Sequence, residues 1–339
     1  MEEIVFLDFD GAISFLSGSG VNVSINCLIE QEIKELQSNP TLTSLHRRAD
    51  WRQIENHNVP TSSVFVYYPW RNSILITHGK DIFNAIKYTR NNYKINSSEQ
   101  LKLLAKTVGV VGLSVGCSIV KTLVMEGICG KVKIADYDTL DLSNTNRIDW
   151  GVFDVGKSKI DLVYRWIKES NPFIDVEIFN EGVNEVNAES FFGKSSTDLD
   201  LVIDECDSLR IKILLRQYAK RNGIPLVMHT SDRGMLDIEN YSLENQYSSY
   251  LMNFVDYSEE ELKLNVGRII AEFCEIGNAS DRSIYSFTEI GKSISSWPQL
   301  AEDVVSGAGN TANVVRRILL GEELISQRAY INCDNLKHL

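Results

Sequence analysis

Four polar side chains in the segment 131–159 could together bind a nucleotide. Asp136 ends a predicted strand, and Asn144, Arg147 and Lys159 follow in the next loop and helix start. A carboxylate at the end of a strand can accept hydrogen bonds from ribose hydroxyls. The two cations suit a triphosphate better than a nicotinamide ribose, because both pair with phosphate oxygens. The residue types therefore predict a nucleotide site and favour ATP over NAD.

A glycine-containing turn precedes these residues. The segment "VVGLSVGCS" places Gly112, Ser114 and Gly116 between an apolar strand and the start of a helix. Such a turn can direct backbone N–H groups and a helix N-terminus at a phosphate. Ser114 stands where a dinucleotide fingerprint has its second glycine, so the turn alone is a weak indicator and gains meaning from Asp136 downstream.

Two further polar residues are predicted near the carboxyl ends of strands. Asp207 comes just after the apolar run in "LVIDECD", where open α/β sheets bind ligands, and a hard carboxylate there could hold Mg²⁺. His229, in "PLVMHTSDRG", also follows a strand and could touch substrate. We interpret His229 instead as a histidine whose ring is hydrogen-bonded within a loop.

The elements that must position these residues alternate between strands and helices from about residue 105 onward. The β-rich runs are "TVGVVGL", "KVKIADYD", "DVEIFN", "DLVIDEC" and "PLVMHTS". Helical periodicity lies between them in "SIVKTLVMEGI", "KSKIDLVYRWIKES" and "DSLRIKILLRQYAKRNG", and again over 258–276 and 297–320. This pattern predicts an α/β fold with a Rossmann-like, doubly wound, mostly parallel sheet over residues 86–325.

Residues 1–85 have a different pattern and predict a small α+β N-terminal extension. A short strand and the helical "IEQEIKELQSNP" precede a β-hairpin that turns at Pro69–Asn72. The stretch "VFLDFDGAI" resembles the nucleophile loop of haloacid-dehalogenase-like phosphatases. We interpret it as a strand that ends in an Asp-Gly turn, because the next 80 residues leave no room for the rest of that site. Residues 326–339 are predicted to be a C-terminal tail.

Composition excludes some function classes. The formal net charge of −12 disfavours binding to nucleic acid and to anionic membrane surfaces. The six cysteines include no Cys-x-x-Cys pair, which predicts reduced thiols rather than a zinc or redox motif. The N-terminus lacks a secretory pattern, and no apolar run reaches the roughly 18 residues of a membrane span. We predict a cytoplasmic protein.

Residues 86–325 resemble the ThiF/HesA/MoeB superfamily, the bacterial relatives of ubiquitin-activating enzymes. Five separated elements of that family recur here in order, which makes the resemblance specific. They are the glycine turn at Gly112, Asp136-Tyr137-Asp138, Ser143-Asn144 with Arg147, Gly156 with Lys159, and Asp204 with Asp207.

The resemblance implies ATP-dependent adenylation, in which a substrate carboxylate attacks the α-phosphate and pyrophosphate is released. Asp136 would bind ribose, Asn144, Arg147 and Lys159 the phosphates, and Asp207 Mg²⁺. The resemblance also implies a homodimer and a substrate that is a peptide, a small ubiquitin-like carrier protein or a small acid. Arg90 is the candidate for a catalytic arginine that this family often donates across the dimer; an ordinary solvated arginine at a helix end explains it equally well.

Three departures from the family pattern limit what the resemblance implies. Ser114 replaces a glycine, Ile148 replaces a glutamine, and the cysteine pairs of the family's structural zinc are absent, so no zinc is expected. Cys274 is the one candidate for a thioester, although we favour a buried helix residue. Two alternative functions stay open: an NAD(P)-dependent oxidoreductase on the same fold, and a non-catalytic nucleotide-binding or scaffold protein.

Overall fold

A computed structural model describes residues 1–18, 23–45, 50–193, 198–243 and 249–333. The chain divides into two compact units. The first comprises Met1–Ser97 with Asn171–Phe173, and the second comprises Ser98–Ser170 with Ile174–Leu339. This division falls later than the predicted boundary at 85/86. One reason is that Asn39 donates a hydrogen bond to Thr89 Oγ1 at 2.7 Å, which ties the segment after residue 85 to the first unit.

The first unit combines a four-stranded sheet, a two-stranded sheet and three helices among its described residues. Its elements are β1 (Val5–Leu7), α1 (Phe9–Gly18), β2 (Ser24–Cys27), α2 (Ile29–Ser38), β3 (Trp51–Ile54), β4 (His57–Pro60), β5 (Val64–Tyr68), β6 (Ser73–Thr77) and α3 (Lys80–Lys87). The larger sheet has the order β1-β5-β6-β2, and β3 pairs with β4. The antiparallel β5–β6 pair, joined by a 3₁₀ turn at Pro69–Arg71, is the predicted hairpin.

The core of the first unit follows from the alternation of its strands. Phe65, Ile74 and Ile76 are fully buried and pack with Ala12 and Ile29 from the first two helices. One local prediction is wrong: the Asp-Gly pair of "LDFDG" is not a turn. It lies inside α1, whose first turn is held because Gly11 N–H donates to Asp8 Oδ1 at 2.7 Å.

The second unit is a seven-stranded sheet covered by helices. Its elements are α4 (Ser97–Leu104), β7 (Thr107–Val111), α5 (Val115–Glu126), β8 (Lys131–Ala135), α6 (Lys159–Ser170), β9 (Asp175–Phe179), α7 (Ala188–Phe192), β10 (Leu201–Asp204), α8 (Leu209–Asn222), β11 (Leu226–Thr230), β12 (Met235–Glu239), α9 (Glu259–Phe273), α10 (Asp281–Glu289), α11 (Ala301–Leu319) and β13 (Gln327–Tyr330).

The strand order of this sheet is β13-β12-β11-β10-β7-β8-β9. The five strands from β9 to β11 run parallel, whereas β12 and β13 add antiparallel pairs at one edge. This is the predicted mostly parallel α/β sheet, and its strand order reverses between β7 and β10, where such sheets bind ligands. Part of the predicted tail differs from expectation, because β13 pairs with β12 and completes the sheet.

Helix boundaries in this unit follow the usual capping chemistry. Ser208 Oγ accepts the N–H of Ile211 at the start of α8, and Gly223 ends that helix with a φ of +63°. Gly321 follows α11 with a φ of +93°.

Within the described ranges, no helix is long and apolar enough to cross a membrane.

Candidate active site

The turn after β7 is built around two glycines that allow close packing. Gly112 has a φ of +92°, and a Cβ there would collide with the backbone carbonyl of Glu205. Gly116 lies in the first turn of α5, where a Cβ would sit 3.0 Å from Val110 Cγ1. The turn therefore brings the N-terminus of α5 against the ends of β7 and β10, as a phosphate-binding turn requires.

Asp136 is held directly against this turn. Its Oδ2 accepts the N–H of Leu113 at 2.5 Å, and its Oδ1 accepts the N–H of Asp138 at 2.7 Å. Burial raises the pKa of Asp136, while the two N–H groups and Lys159 act in the opposite direction. Each carboxylate oxygen keeps a second lone pair, so the group can still accept bonds from ribose hydroxyls.

Lys159 reaches the same turn from the start of α6. Its Nζ donates to Ser114 Oγ at 3.1 Å and pairs with Asp138 Oδ2 at 3.0 Å. The side chain is buried, whereas Asp138 is about half exposed. Asp136, Ser114 and Lys159 thus form one cluster. Asp138, to which the sequence analysis gave no role, is the anion that orients Lys159.

Asn144 and Arg147 come from the 3₁₀ turn Leu142–Asn146 and its cap. Asn144 is buried, and its Oδ1 accepts the N–H of Asp141 at 3.1 Å. Arg147 donates through Nη1 to Ser143 O and to Asn146 Oδ1, but its buried Nε has no hydrogen-bond partner within the described part of the chain. Burial lowers the pKa of Arg147 and Asp207 raises it. The guanidinium stays charged, and its Nε is a donor that no described residue satisfies.

A cavity of about 350 Å³ adjoins the turn, and Ser114, Arg147 and Asp207 line it. Asp207 is exposed and follows β10, where the sequence predicted it. The described residues contain no group of three or more potential metal ligands. Such a group is not needed for Mg²⁺, which proteins usually hold through one or two carboxylates together with substrate phosphates and water. Asp207 therefore fits this kind of metal site by itself.

Two residues of the same region were missed or misread. Glu205 was not predicted; it lines the cavity, its Oε1 accepts the backbone N–H of His229 at 2.9 Å, and burial raises its pKa to about 8. His229 lies inside β11 rather than in a loop, because its pairing with Leu236 of β12 lengthens the strand. The interpretation of a loop-bonded ring is wrong: neither ring nitrogen has a partner among the described residues.

Two other candidates occupy less informative positions. Cys274 caps the C-terminus of α9, just after its last residue. It is partly buried and lines the cavity, and burial raises the pKa of its thiol, which disfavours a nucleophilic thiolate. Arg90 lies in a 3₁₀ turn, Thr89–Asn91, of the first unit. Its catalytic role, like the roles assigned to the other site residues, stays a prediction.

The family is decided by a sequence match. Residues 88–235 match the ThiF family, a range that contains the glycine turn, Asp136, the 3₁₀ turn with Arg147, Lys159 and Asp207. This part of the chain is a ThiF-family domain.

Individual relatives and a solved structure are also similar to this chain. An uncharacterized protein of Mycobacterium tuberculosis is 38% identical over 273 residues, covering 79% of this chain and 38% of that protein. The tRNA threonylcarbamoyladenosine dehydratase of Bacillus subtilis is 31% identical over 143 residues, 42% of this chain and 55% of that enzyme. The structure of Escherichia coli MccB with ATP shares the fold, with a TM-score of 0.54 and 18% identity over 74% of this chain and 69% of that one. The chain thus spans about half or less of the length of these two sequence relatives.

Proposed function

We propose that this chain binds MgATP and adenylates a substrate carboxylate, with release of pyrophosphate. ATP-dependent adenylation is supported at the level of the ThiF family, and the ATP in the MccB structure supports the same nucleotide for this fold. The observation that carries the proposal is a set of hydrogen bonds that joins Asp136 to Lys159 and Ser114 through Asp138, beside a cavity that Arg147 and Asp207 line.

The roles follow from the chemistry of each group. Asp136 accepts the ribose hydroxyls, since its oxygens are fixed at the turn. Lys159 and the unpartnered Nε of Arg147 neutralise charge on the phosphates as pyrophosphate leaves. Asn144 offers its side-chain amide as a further donor. Asp207 would hold Mg²⁺, which would neutralise phosphate charge when bound.

The substrate class, the cellular compartment and the oligomeric state belong to the same proposal. The substrate is a peptide, a carrier protein or a small acid; nucleic acid is left out because of the net charge of −12. We further propose a cytoplasmic homodimer in which Arg90 of one copy completes the site of the other.

Calorimetric titration tests the nucleotide assignment. Wild-type protein should bind ATP more tightly with Mg²⁺ than without it and should not bind NAD. Asp207→Asn should abolish the Mg²⁺ effect. Asp175→Asn serves as a matched control, because Asp175 is an exposed aspartate at the opposite, amino end of a strand in the same sheet. A Mg²⁺ effect that survives in Asp207→Asn would remove Asp207 from the metal site.

The alternatives separate in the same experiment and in one assay of pyrophosphate exchange. NAD binding in place of ATP would support the oxidoreductase, which leaves Arg147, Lys159 and Asp207 without roles. ATP binding without exchange for any carboxylate would support a nucleotide-binding scaffold. Exchange with at least one carboxylate, lost in Asp207→Asn and kept in Asp175→Asn, is the result that adenylation requires.

A further inference from the structure

We propose that the activated carboxylate carries a bulky apolar group, and that the cavity beside Arg147 and Asp207 binds this group. The proposal rests on the function proposed above and specifies its substrate class. The cavity extends from the predicted phosphate side into an apolar chamber within the second unit. A chain that ends in small glycine residues would leave this chamber empty.

Apolar side chains from two sides line the chamber. On one side, Met228 and Met235 from β11 and β12 lie with Ile270 and Phe273 from α9. On the other side lie Phe287 of α10, Ile290 and Trp297. The volume of about 350 Å³ is that of a small-ligand site, and sites of this kind combine apolar walls with few placed polar groups.

The polar groups of the cavity differ in how far they are already satisfied. Lys212 is paired with Asp204 at 3.1 Å, and Asp232 accepts hydroxyl bonds from Ser280 and Ser283 at 2.7 and 2.5 Å. Three other lining residues, in contrast, have buried polar atoms without a hydrogen-bond partner among the described residues: Arg147 at Nε, His229 at both ring nitrogens and Ser231 at Oγ. Of these three residues Arg147 carries the positive charge, so an anionic ligand group is favoured at the Arg147 end, and the rest of the ligand then lies against apolar walls.

The wall formed by Phe287, Ile290 and Trp297 is fixed to the remainder of the second unit, so the chamber is preformed. Asp232 holds the first turn of α10 through Ser280 and Ser283. Asn146, next to Arg147, donates to the backbone carbonyl of Gln299 at 2.9 Å. The rings of Phe287 and Trp297 pack edge to face with centroids 4.0 Å apart. A preformed apolar chamber binds a matching group without a cost of ordering its walls.

Direct binding of two simple probes to the purified full chain tests this inference, with or without nucleotide activity. Titration with 4-phenylbutyrate should give a dissociation constant at least tenfold lower than titration with succinate. Ala279→Trp adds a large ring at a position that lines the cavity and should weaken 4-phenylbutyrate binding at least tenfold. Ala301→Trp, at the exposed first residue of α11, should leave it unchanged.

A second variant guards against misfolding of the first. Trp297→Ala removes one wall of the chamber and should weaken 4-phenylbutyrate binding about fivefold or more. Equal affinity for the two probes, or 4-phenylbutyrate binding that neither variant changes, would overturn the apolar subsite. The two proposals can fail separately. If the protein binds ATP but binds 4-phenylbutyrate and succinate equally well, only the apolar subsite is wrong. If it prefers 4-phenylbutyrate but does not bind ATP, only the proposed adenylation is wrong.

Discussion

Two groups of charges in the second unit meet around the end of β10, where Asp204 belongs to one and Asp207 to the other, and they are satisfied in opposite ways. Behind the edge, Arg216 of α8 is fully buried and bonds Asp204 and Glu239, each at 2.7 Å. At the edge, Lys159 pairs with a half-exposed Asp138, the Nε of Arg147 has no partner in the described ranges, and Asp207 is exposed. We call the first set the buried ion network and the second the edge set.

The buried ion network is balanced internally. Its three buried carboxylates belong to Asp204, Asp237 and Glu239, and its three cations to Lys212, Arg216 and Arg328, the last of which also pairs with the partly exposed Glu275. Burial alone lowers the pKa of Arg216, but Glu239 and Asp204 outweigh it and raise the pKa above its ordinary value. A buried charge whose partners all lie within the protein is not available to pair with a ligand. The edge set is only partly matched, as the phosphate site proposed above requires.

Removal of Arg216 should give the largest effect on stability. Arg216→Met leaves buried carboxylates without their cation, which costs about 3–5 kcal/mol of unfolding free energy. Urea unfolding of wild type and Arg216→Met measures this loss of unfolding free energy. Arg221→Met is the matched control on the same helix, since Arg221 pairs with Glu189 at 2.7 Å but both side chains are about half exposed. That change should cost about 1 kcal/mol or less. Equal losses in the two variants would show that the network contributes nothing beyond surface pairing.

Lys159→Met should have the opposite effect to Arg216→Met: a large change in ATP affinity and a small change in the unfolding free energy. The buried alkyl chain is roughly conserved and the remaining Asp138 is half exposed, so the unfolding free energy should change little. ATP affinity should fall tenfold or more, because one hydrogen bond to a charged group contributes about 1.5–3 kcal/mol. Calorimetric titration and urea unfolding of the same sample separate the two quantities. A large loss of stability with unchanged ATP affinity would move Lys159 from the edge set to the structural one.

Asp204→Asn tests the network through pH. Burial alone would raise the pKa of Asp204, but Lys212 and Arg216 outweigh it and lower the pKa to about 2. The unfolded chain takes up this proton near pH 4 and the folded protein only near pH 2, so the stabilisation by the carboxylate is lost as the pH falls between them. The stability difference between wild type and Asp204→Asn should shrink by about 2 kcal/mol over that interval. A constant difference would mean that Asp204 is not held by its cations.

The sequence was sufficient to predict the sheet and the positions of Lys159, Arg147 and Asp207 along the chain relative to it, because both leave local patterns; the roles of these residues stay predictions. Buried parallel strands appear as short apolar runs, and a residue at the end of such a run must lie at the sheet edge. Asp136 meets the glycine turn at Leu113 for this reason. Lys159 is the first residue of the helix that leads away from the next strand, so its approach to the turn also follows from the strand and helix pattern.

The remaining features depend on partners that are distant in the chain. β13 exists because it pairs with β12, about 90 residues earlier, and four residues without an apolar run do not predict it. Met228, Phe273 and Trp297 have the sequence pattern of ordinary core residues, and only their arrangement around one space distinguishes a chamber from a core. The balance of the buried ion network likewise appears only when β10, β12 and α8 are together.

His229 should give the smallest effect and connects the two regions. Burial lowers its pKa to about 4, so the ring is neutral at pH 7, and it packs against Gly307 of α11 with both nitrogens unpartnered among the described residues. His229→Phe keeps a ring of similar shape and removes those nitrogens, so it should raise the unfolding free energy by about 1 kcal/mol. His57→Phe, a partly exposed histidine of the first unit, is the control and should change little. The gain should grow as the pH falls from 6.5 towards 4, because the unfolded chain then binds a proton at His229 that the folded protein does not. A loss of stability in His229→Phe would instead show that the ring nitrogens are satisfied in the folded protein. His229 would then be grouped with the internally paired residues of the buried ion network rather than with the polar groups that lack a partner.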